Sequence, residues 1–135
     1  MILNLTQKTK IRQLQECFSV SFPYLKLEFF DKPHGWGEKS SEAHCYDPSY
    51  RLSTVCTGYF EEGEIVAKPW AKAGEIESFL SERFGLYSQV YRRNGSGWIQ
   101  TAGTDDLTLF EQNEIGKESV TEHHENLWIE REVIY

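Results

Sequence analysis

Cysteine is scarce and unpaired in this chain: Cys17, Cys45 and Cys56 are the only three, with no CxxC pair among them. An odd count of scattered thiols argues against a disulfide framework and fits reduced thiols in a cytoplasm, read here as a bacterial one. Long apolar runs are missing as well. No stretch approaches the roughly 20 apolar residues that cross a bilayer. The start, "MILNLTQKTK", has neither the charged n-region nor the apolar core of a signal peptide. The expectation is a soluble, cytoplasmic protein with no membrane partner. Three motifs of common enzymes are also absent: the GxSxG nucleophile elbow, the GxxxxGK[ST] phosphate loop, and GxGxxG after a strand.

Excess basic charge is lacking too. The formal net charge is -7, and it is unevenly placed: residues 105–135 hold nine acidic side chains and two basic ones, while residues 1–104 hold twelve of each. An acidic protein gains nothing from counterion release on DNA or RNA, so no nucleic-acid partner is expected. The acidic segment reads as a solvated face that keeps the protein soluble.

What the chain does have is enough apolar material for a core. Its 135 residues are 39% hydrophobic and 14% aromatic, which suits one domain over 1–135 built around large rings. Ile2 to Leu5 alternate as a strand. Ile11, Leu14, Cys17, Phe18 and Phe22 recur at helical spacing after Thr9, a potential cap, and Pro23 ends that helix. "YLKLEFF" alternates as a strand with one face buried. Residues 31–53, rich in Gly, Pro, Ser and charge, read as a long loop. "STVCTGYF" and "EIVAKPW" suggest a hairpin closed by Gly63. Ile76, Phe79, Leu80 and Phe84 mark a second helix ended by Gly85; "LYSQVYRR", "NGSG" and "WIQTA" follow as strand, turn and strand. Residues 103–126 read as loop, and "LWIEREVIY" as a closing strand.

At a constant offset of 62, Leu14 and Ile76, Phe18 and Leu80, Phe22 and Phe84, Gly35 and Gly97, and Trp36 and Trp98 coincide. Further on, Leu52, Ser53 and Val55 resemble Leu107, Thr108 and Phe110 after a shorter separation. The pattern suggests an internal repeat with units at about 1–58 and 63–120; recurrent core spacing is the alternative. The second unit, "FGLYSQVYRRNGSGWIQTAGTDDLTLFEQNEIG", resembles stretches in small uncharacterised bacterial proteins. Its order of elements is faintly similar to β-grasp (ubiquitin-like) modules, although a β-grasp opens with a hairpin before its helix. The resemblance implies no activity, and no catalytic or binding residue is carried over from it.

His34, His44, Cys45 and Cys56 lie in or near one loop, but their spacing matches no zinc motif, whose ligands usually pair two to four residues apart. His123 and His124 are adjacent, whereas HExxH needs its histidines one helical turn apart. Arg92 and Arg93, near Tyr87, Tyr91 and Trp98, fit a half-exposed sheet face better than a stacking platform for single strands. No catalytic, cofactor-binding or metal residue is therefore assigned, and no cofactor. The expected fold is one α+β domain of two β-α-β-β-like units. Helices near 9–22 and 72–84 pack on one side of a mainly antiparallel sheet, with Leu14, Phe18, Phe22, Phe79, Leu80 and Phe84 in the core. The expected function is a non-enzymatic protein-interaction module that binds a protein partner or forms a homodimer. The alternative is a small enzyme or ligand-binding protein with its site on the 31–53 loop.

Overall fold

Alternating aliphatic residues at the start of the chain form strand β1 (Ile2–Leu5) in the computed structural model, which describes residues 1–133. Helix α1 (Ile11–Ser21) follows, with Ile11, Leu14 and Phe18 wholly buried on one stripe. It stops two residues before Pro23, which has no amide hydrogen to continue it. Thr9 does not cap it: the Thr9 hydroxyl accepts from the Thr6 amide at 2.9 Å, and the Lys10 amide donates to the side chain of Gln13 at 2.8 Å. Strand β2 (Leu25–Phe30) buries Leu25, Leu27 and Phe29.

After the long loop, which contains a 3-10 turn at Glu42–His44, comes the short helix α2 (Leu52–Val55). The expected hairpin is absent. The residues read as its first strand form α2 and bends, and Gly63 instead begins strand β3 (Gly63–Val66), which pairs with β1. Helix α3 (Ala73–Phe84) buries Ala73, Ile76, Leu80 and Phe84. Gly85, at φ 64°, closes it in the left-handed conformation that glycine adopts without strain. Strands β4 (Tyr87–Asn94) and β5 (Gly97–Gln100) form the hairpin read from "NGSG".

The fold is α+β, with both sheets antiparallel: β1 with β3, and β2-β4-β5. The strands thus form two sheets rather than the one expected, because the two short strands pair with each other. One apolar cluster joins them, taking Leu5 and Ile65 from the small sheet, Leu27 and Val90 from the large one, and Phe18, Phe22, Leu80 and Phe84 from the helices. Phe79 is a correction to the expected core. It lies one position off the stripe of Ala73, Ile76, Leu80 and Phe84, remains 38% exposed, and meets Phe84 edge-on at 5.9 Å.

The largest departure is helix α4 (Leu109–Val133), 25 residues long, where loop and a closing strand were expected. Residues 134 and 135 of that expected strand lie outside the described residues. α4 starts on a capping box: the Glu111 amide donates to the Thr108 hydroxyl, and the Thr108 amide to the Glu111 carboxylate, both at 3.1 Å. It docks mainly through polar side chains. Gln112 accepts from Arg92 and donates to the Thr104 carbonyl, both at 2.7 Å, and Asn113 accepts the Tyr24 amide at 2.8 Å. Gly116 lets the helix approach, since a Cβ there would lie 2.9 Å from Tyr24 Cβ and 3.0 Å from its carbonyl oxygen.

The β1–β3 and β2–β4 ladders share one regularity of register. At the offset of 62, the pair Ile2–Val66 maps onto Asn4–Glu64, and Leu25–Arg92 onto Phe30–Tyr87. Matching hydrogen bonds run outside the strands: Leu52 N to Thr9 O at 2.9 Å and Leu109 N to Ala71 O at 2.8 Å. Leu52 and Leu109 thus make like backbone contacts. Among the described residues no helix is long and apolar enough to cross a membrane.

Candidate functional site

Strand β5 ends at Gln100, opposite Tyr91, so the outer edge of β4 is uncovered from Val90 back toward its start. Bare edge groups must find partners. Thr101 N still reaches the Val90 carbonyl at 3.0 Å, but the Val90 amide donates to Glu77 Oε2 at 2.7 Å, and the Ser88 carbonyl accepts from His34 Nε2 at 2.7 Å. Two side chains, one from α3 and one from the long loop, thus replace a missing strand.

Glu77 sits on the buried stripe of α3, its side chain only 5% exposed. Oε2 also accepts from Gln89 Nε2 at 3.0 Å, while Oε1 faces His34 Nε2 at 3.9 Å and makes no hydrogen bond among the described residues. Burial pushes the carboxyl up to about 8, with the Asp105 carboxylate adding to the rise and the Val90 amide opposing it. Asp105 is likewise raised, chiefly by burial. Its Oδ2 accepts the Gly37 amide at 2.6 Å, and its Oδ1 is buried without a partner among the described residues. His34 places Nδ1 2.9 Å from the Gly35 carbonyl and Nε2 against that of Ser88. Carbonyls only accept, so a neutral ring meets one of these contacts and a doubly protonated ring meets both.

The 34–40 segment is fastened to this edge along its length. The Trp36 ring lies so close over α3 that a Cβ at Gly74 would come within 2.5 Å of it. Ser40 and Gln100 exchange two hydrogen bonds of 2.7 Å each. Between this segment, α3 and the start of β4 lies a half-open cleft of about 110 Å³. His34, Trp36, Glu77 and Ser88 line it, with Ser78, Ser81, Glu82 and Tyr87. Ser88 is 1% exposed and its hydroxyl makes no hydrogen bond among the described residues.

The residues singled out in the sequence are scattered. Of His34, His44, Cys45 and Cys56, His34 alone reaches the cleft. His44 pairs with Asp31 at 2.9 Å. The exposed Cys45 thiol approaches Glu28 at 3.5 Å and is pushed up to about 11 by burial and that carboxylate. Cys56 bonds the Ser53 carbonyl at 3.5 Å. Among the described residues no group of three His, Cys, Asp or Glu side chains is placed to hold a metal ion. Arg92 is half-buried on Gln112, and the Arg93 guanidinium stacks 4.1 Å above the Trp98 ring. His123 and His124 lie on α4, ring centroids 6.2 Å apart. Sequence reading missed Glu77, Asp105 and Ser88. Glu77 had left a signal: it is an acidic residue at the apolar spacing of Ala73, Leu80 and Phe84.

Sixty-two residues before Glu77 (77 − 15), Gln15 of α1 likewise reaches a strand, donating to the Leu27 carbonyl of β2 at 2.8 Å and to Glu28 at 3.3 Å. Here Lys26 stands where β4 has Ser88, and Arg12 where α3 has Gly74. No protein-family model matches this chain, and no curated protein or solved structure does either.

Proposed function

We propose that the protein binds a small polar molecule in the cleft between the 34–36 segment, α3 and the start of β4. The observation that supports this is the lining of the cleft, where Glu77, whose Oε1 makes no hydrogen bond among the described residues, stands beside Ser88, whose buried hydroxyl has no partner among them. A buried polar atom without a partner, as Ser88 Oγ is, costs on the order of 1–3 kcal/mol, and a bound molecule that reaches it removes that cost. The test is a screen of small amines, polyols and carboxylates by chemical-shift perturbation. Shifts confined to Trp36, Glu77, Ser81 and Ser88 support the site; shifts absent there, or spread over the molecule, refute it.

A second reading, the protein-interaction module, is favoured by one surface. Trp70 and Phe110 are 72% and 57% exposed and are held side by side by the Phe110 amide, which donates to the Pro69 carbonyl at 2.9 Å. Light scattering that shows a dimer broken by Trp70→Ser would favour a homodimer through this patch. We also read the two halves as copies of one unit, a reading supported by the symmetric ladders and matching amides. The three free cysteines fit a bacterial cytoplasm.

A further inference from the structure

The cleft's unused hydrogen-bonding groups are unbalanced. Both ring nitrogens of His34 already face carbonyls, so the histidine has no donor left to offer. What remains on the lining is Glu77 Oε1, the Glu82 carboxylate, the hydroxyls of Ser78, Ser81, Ser88 and Tyr87, and one fixed donor, the Trp36 indole N–H; no Lys or Arg among the described residues lines the cleft. An ionised carboxylate only accepts, hydroxyls accept as readily as they donate, and Glu77, protonated below about pH 8, becomes an acceptor at Oε1 once its proton leaves. The Trp36 indole forms one wall, and tryptophan is the aromatic ring that best attracts a cation. A volume of about 110 Å³, at roughly 10–15 Å³ per water-sized unit, holds about seven to eleven such units and so limits the occupant to a small molecule.

From this arrangement of acceptors, aromatic wall and missing basic side chains we infer that the cleft takes a small organic ammonium ion. The inference rests on the cleft being a ligand site. The ammonium carries three donors and one positive charge, matching Glu77, Ser88 and the serines of α3, while a short alkyl group lies on Trp36. Binding displaces a proton, because burial keeps Glu77 protonated up to about pH 8 and a cation beside it favours the carboxylate. The groups facing Glu77 are His34 from the loop, Asp105 from the segment before α4, and Gln89 and the Val90 amide from β4. Of these, only His34 and Asp105 can carry charge.

The experiment titrates the whole chain with ethylammonium chloride, ethylene glycol and sodium acetate in parallel, following cleft resonances at pH 6, 7 and 8. Ethylammonium is expected to bind at least tenfold more tightly than ethylene glycol, acetate not at all, and its affinity is expected to rise several-fold per pH unit. Glu77→Gln, which keeps an oxygen to accept the Val90 amide, is expected to abolish the pH dependence and weaken ethylammonium at least tenfold. Glu82→Gln, on the exposed turn, should weaken it less and serves as the variant that folds in any case. Equal binding of ethylene glycol, or preferred binding of acetate, overturns the ammonium assignment while leaving the cleft as a site. No perturbation by any of the three overturns both. Ethylammonium binding that is unchanged in both variants overturns the assignment.

Discussion

The Oε2 oxygen of Glu77 accepts the Val90 amide at 2.7 Å, so a helix side chain completes the hydrogen bonding of a strand edge that β5 leaves bare. That contact places a carboxyl where water hardly reaches and where a backbone donor and the Gln89 side chain fix its direction. The same two facts, burial and a fixed orientation, make it both a structural part and a site.

Glu77 therefore makes stability depend on pH. Its carboxyl titrates at about 8 in the folded chain against an ordinary 4.5. Between those values the folded protein holds a proton that the unfolded chain has lost, so stability falls as pH rises, by about 1.4 kcal/mol per pH unit. Asp105, raised as well, adds the same sign just above the ordinary aspartate range. Urea unfolding of Glu77→Gln at pH 5, 6.5 and 8 should show a clearly flatter profile than the parent chain. Parallel profiles would mean that Glu77 is ionised in the fold.

The core prediction concerns rings on opposite sides of one helix face. Phe84 is 3% exposed, whereas Phe79 is 38% exposed. Phe84→Ala should cost about 3–5 kcal/mol, through lost burial and the cavity left beside Phe60 and Gly85. Phe79→Ala should cost about 1 kcal/mol or less, the scale of an edge-on pair at the surface. Chemical denaturation of both variants decides; similar losses would put Phe79 back in the core.

Where the fold was legible in sequence, burial was the reason. Ile11, Leu14 and Phe18, and Ile76, Leu80 and Phe84, announce α1 and α3 because those helices bury apolar stripes, and Leu25, Leu27 and Phe29 announce β2 in the same way. α4 escaped because its docking face carries Gln112, Asn113 and Gly116, which pair with Arg92, the Tyr24 amide and the Tyr24 backbone and leave no apolar period to read. The Thr108–Glu111 capping box was its one local signal. The site was half legible. The 31–53 loop was a candidate, but Glu77 and Ser88 acquire meaning only from the edge that β5 leaves open, a feature of pairing rather than of spacing.

Gly74 and Trp36 supply a third test. A Cβ at Gly74 meets the indole at 2.5–2.8 Å, and the ring, half exposed, can swing outward. Gly74→Ala should displace Trp36 from α3, shift its indole N–H resonance toward the solvent value and open the cleft, without unfolding the core. An unmoved indole resonance would show that the ring does not depend on this close approach.

The acidic stretch gives the last prediction, and α4 changes which residues should be altered. Glu111, Glu114 and Glu118 were expected in a loop, where charge reversal would be harmless. Glu111 instead closes the capping box with Thr108, and its carboxyl is held below the ordinary range by those hydrogen bonds. A lysine there would remove the cap and place a positive charge at the helix N-terminus, an unfavourable end for a cation. Glu118, Glu122 and Glu125 lie further along α4, exposed to solvent, and are the clean choice. Reversing all three to Lys should leave the melting temperature within a few degrees, since surface changes of this kind usually stay within about 0.5 kcal/mol. If α4 guides a basic partner, capture of that partner from extract should be lost in the triple variant at physiological salt and weaken with salt in the parent chain. Retained capture with unchanged salt dependence would assign the charge to solubility alone and leave the Trp70–Phe110 patch as the surface to test.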